Sequence, residues 1–421
     1  MQEKINKEEI IKKAERCLQC KNPRCIQGCP ISTSVPEFIN LLLQGQEKKA
    51  GEMLFKNNPL SVVCSLVCPH ERQCQGNCVL GIKGDAVDIG TIEQYLSNNY
   101  LNEKVCKKED EHIGKIAIVG SGPAGISIAF ILAIKGYDIT LFESHDKIGG
   151  VLRYGIPEFR LPKEILDRLK NKLVELGVKI RPNTLIGSVI TIDDLFRDKY
   201  DAVFIGTGVW QPKKLNIPGE SLGHVHYAID YLKNPQVYEL GNRVCVIGAG
   251  NVAMDVARTA VRKGANEVYI MYRKGRENVS ATNHEIESAL EEGVKFEFYK
   301  TPVEIVDDGV KYLKTQKIED KDKNIKFVTI NNSEDILKAD SIIIAVSQGP
   351  KSNIVSKTKD IKTNISGLLI TDECGRTTKE GVFASGDVVT GAKTVVEAVN
   401  HSKKVAEAIH IFVNKKSLTP N

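Results

Sequence analysis

Eight of the chain's 11 cysteines fall between Cys17 and Cys78, in two groups. The first reads Cys17-x2-Cys20-x4-Cys25-x3-Cys29-Pro30 and the second Cys64-x3-Cys68-Pro69-x5-Cys74-x3-Cys78. Thiolates are the usual ligands of 4Fe–4S clusters. A compact run plus a distant cysteine, with proline after a ligating cysteine, follows the logic of bacterial two-cluster ferredoxins, where the last cysteine of one run serves the other cluster. The spacings differ from the ferredoxin motif itself. Zinc is the competing metal, but it favours Cys-x2–4-Cys pairs closing one tetrahedron, and the spacing here is uneven. Disulfides require an oxidising compartment. The first residues show no signal-peptide shape, and the longest apolar run, 126–134, is too short for a bilayer. A cytoplasmic location, and hence metal, is expected. Cys106, Cys245 and Cys374 stand alone, and Cys245 reads as core.

A second kind of chemistry is written in glycine. Gly120-Ser121-Gly122-Pro123-Ala124-Gly125 fills G-x-G-x-x-G between an apolar strand and a helix. Such a turn lets the backbone approach a pyrophosphate, which then meets the N–H groups of the helix. Glu143 follows about 20 residues on, where a carboxylate can accept from a ribose hydroxyl. A second copy, Gly248-Ala249-Gly250-Asn251-Val252-Ala253, has alanine at its last position, which is permitted. Counting along this unit, Tyr272 falls where Glu143 falls in the first, and Arg273, Lys274 and Arg276 come next. A missing ribose carboxylate beside cations suits a 2′-phosphate and favours NADPH over NADH; a solvated basic turn is the plainer alternative. Two dinucleotide sites in one chain imply a relay, with one flavin held permanently and one nicotinamide exchanged.

The elements around these residues read as three regions. Residues 1–113 are cysteine-rich, with helical spacing over 8–16, 36–43 and 92–98. Residues 114–215 open a βαβ unit: strand 115–119, helix 123–135, strand 138–142. Residues 216–344 repeat it with strand 243–247, helix 251–263 and strand 267–271, and end on strand 341–346. Residues 345–421 hold a short strand, 381–384, a turn at Gly386-Asp387 and a helix over about 394–412. That tail needs a host, and the first nucleotide fold is the natural one. The fold class expected is therefore α/β: two Rossmann-like dinucleotide-binding domains, one inserted in the other, after an α-helical iron–sulfur domain. The formal charge of +5 forms no basic block and aromatics make up 6%, so nucleic-acid binding is not indicated. No membrane partner is indicated either.

Longer motifs carry a resemblance. Arg16-Cys17-Leu18-Gln19-Cys20, Gly28-Cys29-Pro30 and Val67-Cys68-Pro69 are joined by the run from Gly149 to Pro157 and by Phe159-Arg160-Leu161-Pro162. Ala384-Ser385-Gly386-Asp387 and Lys393-Thr394-Val395-Val396 follow. Together these resemble the small subunit of bacterial glutamate synthase and its relatives, which include the large subunit of NADH-dependent ferredoxin:NADP oxidoreductase and the flavin part of dihydropyrimidine dehydrogenase. The resemblance implies that Cys17, Cys20, Cys25 and Cys78 hold one 4Fe–4S cluster. It implies that Cys29, Cys68 and Cys74 hold a second, with Glu93 as its fourth ligand and Cys64 spare. A helix-surface carboxylate is the plain alternative for Glu93. It also implies FAD contacts at Gly150, Arg153, Gly386, Asp387, Thr394 and Val395.

The activity implied is that of an electron-input subunit. Hydride would pass from NADPH to FAD, and single electrons through two 4Fe–4S clusters to a larger catalytic subunit or a ferredoxin-type acceptor. Glutamate synthase is the first reading. The others are the NAD(P)H-oxidising subunit of dihydropyrimidine dehydrogenase and a ferredoxin-linked bifurcating transhydrogenase subunit. A zinc-bearing regulatory module is the non-enzyme alternative. After Cys106 only Cys245 and Cys374 remain, so no redox cysteine pair stands beside the flavin and direct dithiol chemistry is not expected.

Overall fold

The computed structural model describes residues 6–104, 113–319 and 325–418; Cys106 lies outside them. The chain divides into two units. One gathers Met1–Arg153, Glu158–Val209 and Gly349–Asn421, and the other Tyr154–Pro157 and Trp210–Gln348. No helix among the described residues is long and apolar enough to cross a membrane.

The first unit begins with helices Lys7–Glu15, Val35–Leu43, Glu47–Asn57, Ser61–Val67 and Ile89–Tyr100. Asn6 starts the first of them by accepting from Glu8 N at 3.1 Å, and Asp88 starts the last by accepting from Thr91 N at 3.3 Å. Phe38, Ile39 and Leu42 share one face, as do Ile92 and Leu96, and these faces meet in a core with Ile10, Ala14 and Leu54. Cys74 is buried in this core, while Cys17, Cys25 and Cys78 pack against its edge. Packing of these faces sets where the thiols point.

The rest of the unit is a five-stranded sheet in the order Val382–Ala384, Ala202–Ile205, Lys115–Val119, Asp138–Phe142, Lys179–Arg181. Every neighbouring pair is parallel. Its outermost strand, Val382–Ala384, comes from beyond the second unit in sequence. The second nucleotide fold is thus inserted in the first. The C-terminal helix Val395–Leu418 returns to the helix Pro123–Lys135: Glu407 pairs with Lys135 at 2.9 Å and the Tyr137 hydroxyl meets His410 Nδ1 at 2.8 Å. Ser402 Oγ bonds Ser385 Oγ at 2.8 Å in full burial.

The second unit holds a five-stranded parallel sheet, Val225–Tyr227, Ser341–Ile344, Arg243–Ile247, Glu267–Tyr272, Lys295–Phe298. An antiparallel layer of Lys300–Val306, Gly309–Glu319, Ile325–Thr329 and Asp335–Lys338 adds to it. The sequence reading leaves that layer undefined.

Candidate functional site

Two cavities gather the N-terminal thiols. Cys17, Cys20, Cys25 and Cys78 line one. Cys29, Cys64, Cys68, Cys74 and Glu93 line the other, together with His70 and Val396. The short loop between Cys17 and Cys20 turns through Gln19 at φ 49°, which brings both thiols to the same cavity. Gly28, just before Cys29, is required by a close approach: a Cβ there would lie 2.8 Å from the Gln73 carbonyl and closer still to the Asn77 side chain. The two cysteine groups meet at this crossing.

These donors lie where charge is costly. Burial pushes the Cys25 thiol up to about 11. Cys68 is raised by its contact with Cys64 and then by burial, and Cys74 is raised by burial. Glu93 is 8% exposed, and burial lifts its carboxyl to about 8. It is not a surface carboxylate. Thiolates in such places need compensating positive charge, which bound iron supplies. Among the described residues, no three His, Cys, Asp or Glu side chains converge as a single ion demands. The thiols of each group ring a cavity, as the ligands of a 4Fe–4S cluster do.

In the first nucleotide fold, Gly122 faces open space, with nothing within 4 Å of where a Cβ would stand. A side chain would fill the ground that a pyrophosphate needs. Glu143, 3% exposed, accepts from Ser121 N at 3.1 Å, from the Ser121 hydroxyl and from His145 N at 2.8 Å. Burial pushes its carboxyl up, but the hydrogen bonds from His145 and Ser121 outweigh this and hold it below the usual range. Glu143 therefore also pins the glycine turn. In the sequence Ser121 stands only as a variable position of the glycine motif, and nothing marks His145. Gly150 lies against this turn, its Cβ position 2.7 Å from Gly122 Cα. Arg153 donates to the Ile148 carbonyl at 2.8 Å and pairs with Asp167 at 2.5 Å.

Past the insertion, Gly386 precedes the turn Asp387–Thr390. Burial pushes the Asp387 carboxyl up to about 6, although it accepts from Lys393 N at 3.2 Å. The Thr394 hydroxyl is spent on Glu397 at 2.6 Å, and Glu397 N reaches back to it at 3.4 Å. This is a reciprocal helix cap. Glu397 thus engages both the hydroxyl and the backbone N–H of Thr394.

The second fold repeats the geometry of the first. Gly120 N donates to Phe142 O at 2.8 Å, and Gly248 N to Met271 O at 3.0 Å. Tyr272 thus takes the rung of Glu143, and its hydroxyl donates to Asn278 O at 2.9 Å. Gly250 meets only Ser280 Oγ, 3.4 Å from its Cβ position. Asn251 accepts from Thr282 N at 3.0 Å, and Val252 packs on the core of this unit. Arg273 and Arg276 are exposed. The Lys274 ammonium lies 5.5 Å from the Phe327 ring centre. Their backbone is held to the antiparallel layer, with Thr315 donating to Arg273 O at 2.6 Å and Tyr299 N to Lys274 O at 3.3 Å.

The family of pyridine nucleotide-disulphide oxidoreductases matches residues 114–402. The chain belongs to that family. Residues 1–105 match the 4Fe–4S cluster domain known as domain II of dihydropyrimidine dehydrogenase. The glutamate synthase (NADPH) small chain of Escherichia coli is 34% identical over 94% of this chain and 90% of its own. An NAD-dependent dihydropyrimidine dehydrogenase subunit, PreT, from the same organism is 32% identical over 96% and 94%. Among solved structures, Mycobacterium tuberculosis FprA in complex with NADPH shares the fold at a TM-score of 0.63 and 18% identity, over 72% of this chain and 86% of its own. The chain is thus an oxidoreductase that joins the pyridine-nucleotide family's paired folds to a 4Fe–4S cluster domain. Several of its relatives are named as subunits of larger enzymes.

Proposed function

We propose that the chain is an electron-input subunit of the glutamate synthase (NADPH) kind, delivering electrons to a larger catalytic partner. The observation that carries this reading is an apolar seam. Val395 and Val396, at the start of the C-terminal helix, pack with Ile31 against Cys29, Cys64 and Cys68. One helix end thus serves both the flavin side and the second thiol cavity. FAD, when bound, accepts hydride and releases electrons singly, and 4Fe–4S clusters carry one at a time.

In this reading residues 1–113 form the cluster domain, 114–215 and 345–421 the FAD domain and 216–344 the NAD(P)H domain. Cys17, Cys20, Cys25 and Cys78 hold one cluster; Cys29, Cys68, Cys74 and Glu93 hold the other. The turn 120–125 with Glu143, Gly150, Arg153 and Gly386 embraces FAD. Asp387 meets its ribityl hydroxyls, and the helix start at Thr394-Val395 steadies negative charge on the reduced ring. Gly248, Gly250, Asn251 and Val252 take the nicotinamide dinucleotide, with Arg273, Lys274 and Arg276 on the 2′-phosphate.

The test is anaerobic mixing with NADPH in a stopped-flow spectrometer, with iron and acid-labile sulfide assayed on the same sample. Flavin bleaching followed by the paramagnetic signal of a reduced cluster is expected. Zinc in place of iron, or bleaching that never reaches a cluster, would overturn the proposal. A rate with NADH well above that with NADPH would favour the dihydropyrimidine dehydrogenase reading.

A further inference from the structure

We infer that Lys403, Asn57 and Thr33 form a directed hydrogen-bond chain that ends on Cys29 Sγ and raises the reduction potential of the cluster held there. The inference rests on the assignment of Cys29 to a cluster made above. Lys403 Nζ donates to Asn57 Oδ1 at 2.7 Å. Asn57 Nδ2 donates to Thr33 Oγ1 at 3.1 Å and approaches the Ile31 carbonyl at 3.4 Å. Thr33 Oγ1 lies 3.4 Å from Cys29 Sγ.

The direction of the chain follows from what each group can do. An ammonium has only donors, so the amide atom facing Lys403 must be the oxygen, and the NH2 must face Thr33. The Thr33 oxygen accepts there, which leaves its hydroxyl proton for the sulfur. A free Cys29 thiol can donate to that oxygen. A metal-bound thiolate has no proton, so the hydroxyl donates to it instead. Every donor then points from Lys403 towards Cys29, and such chains strengthen one another in low dielectric. Thr33 is buried.

The scaffold explains why a lysine reaches this place. Lys403 lies seven residues after Val396, on the same helix face, and Val396 packs on Ile31 and Cys64. Asn57 closes the helix Glu47–Asn57, which leaves its side chain at the junction. Burial lowers the pKa of Lys403, and the charge that opposes this is that of Cys29. Reduction adds negative charge to the cluster and its sulfurs. Hydrogen bonds to those sulfurs favour that state and raise the potential.

The test uses the full chain, anaerobically loaded, in a redox titration followed by electron paramagnetic resonance, with iron and sulfide measured for every sample. Thr33→Val should lower the midpoint of one cluster by roughly a tenfold change in its one-electron equilibrium, about 59 mV, and leave the other in place. Lys403→Met should lower the same midpoint, and Thr33→Ser should restore it. In the double variant the lysine change should add little to the threonine change. Fully additive shifts would mean that the charge acts through space and would overturn the chain. Unmoved midpoints at full iron content would overturn the inference. Should Thr33→Val shed iron, Lys403→Met, which leaves the ligands alone, decides in the same way. Wild-type protein without iron and sulfide would instead overturn the cluster assignment.

Discussion

Tyr272 stands on the rung that Glu143 holds in the first nucleotide fold, and this one exchange separates the two sites chemically. In the function proposed, a carboxylate there would repel a 2′-phosphate, whereas the cations after Tyr272 would attract it. Aligning the strand ends was enough to see it: the second unit is one residue longer from first glycine to rung, and the pairing of its two strands absorbs the difference. Replacing Arg273 and Lys274 together by Ala should raise KM for NADPH by roughly tenfold per lost phosphate contact, with little effect on NADH. Equal changes for both nucleotides, in steady-state assays with ferricyanide, would show a merely solvated turn. Asp387 allows a second prediction. Its folded pKa, about 6, exceeds the ordinary carboxylate value, chiefly through burial. The folded state therefore disfavours the ionised form, and stability falls as pH rises through that range and stays low above it. Asp387→Asn should raise the melting temperature of the apoprotein at pH 8, with the gain shrinking towards pH 4, and should weaken FAD binding. A gain independent of pH would assign the effect to packing. The partners of Glu143 were not legible, because hydrogen bonds to Ser121 and His145 depend on how the turn closes.

Among the elements, the helix Ser61–Val67 shows where sequence patterning stops helping. Ser-Val-Val-Cys-Ser-Leu-Val is short, apolar and rich in β-branched residues, and strand and buried helix cannot be told apart over such a run. Folded as a helix, it puts Cys64 and Cys68 four residues apart on one face, so both reach the same cavity. The helix Glu47–Asn57 and the antiparallel layer of the second unit were hidden for a related reason. Lysines and glutamates dilute their alternation, and tertiary contacts decide their state. The paired glycine motifs, by contrast, fixed strand, turn and helix at once. The C-terminal helix was legible as a helix needing a host, although it runs on to Leu418. Its hold on that host is testable. Ile409 is fully buried, so Ile409→Ala should cost about 2–5 kcal/mol. That loss should appear as earlier flavin release in a urea titration. An unchanged midpoint would mean that the helix contributes little to the FAD fold.

At the scale of the whole molecule, two matched regions span nearly all of the sequence. The cluster domain accounts for residues 1–105 and the paired nucleotide folds for 114–402. Outside the thiol cavities the chain keeps Cys245 buried mid-strand, where burial pushes its thiol up to about 12, and Cys374 alone on the surface. Among the described residues, these two do not form a dithiol pair. The cavity of Cys17, Cys20, Cys25 and Cys78 is rimmed by exposed Leu18 and Val79. The purified chain should oxidise NADPH with artificial acceptors but form no glutamate from glutamine and 2-oxoglutarate. Adding a glutamate synthase large chain should start that reaction, in proportion to the complex formed and with high salt reducing it wherever charged contacts guide assembly. Glutamate production by the single chain would break this division of labour. Full NADPH oxidation with no response to any large chain, together with reduction of a ferredoxin, would move the acceptor from a catalytic subunit to a soluble carrier.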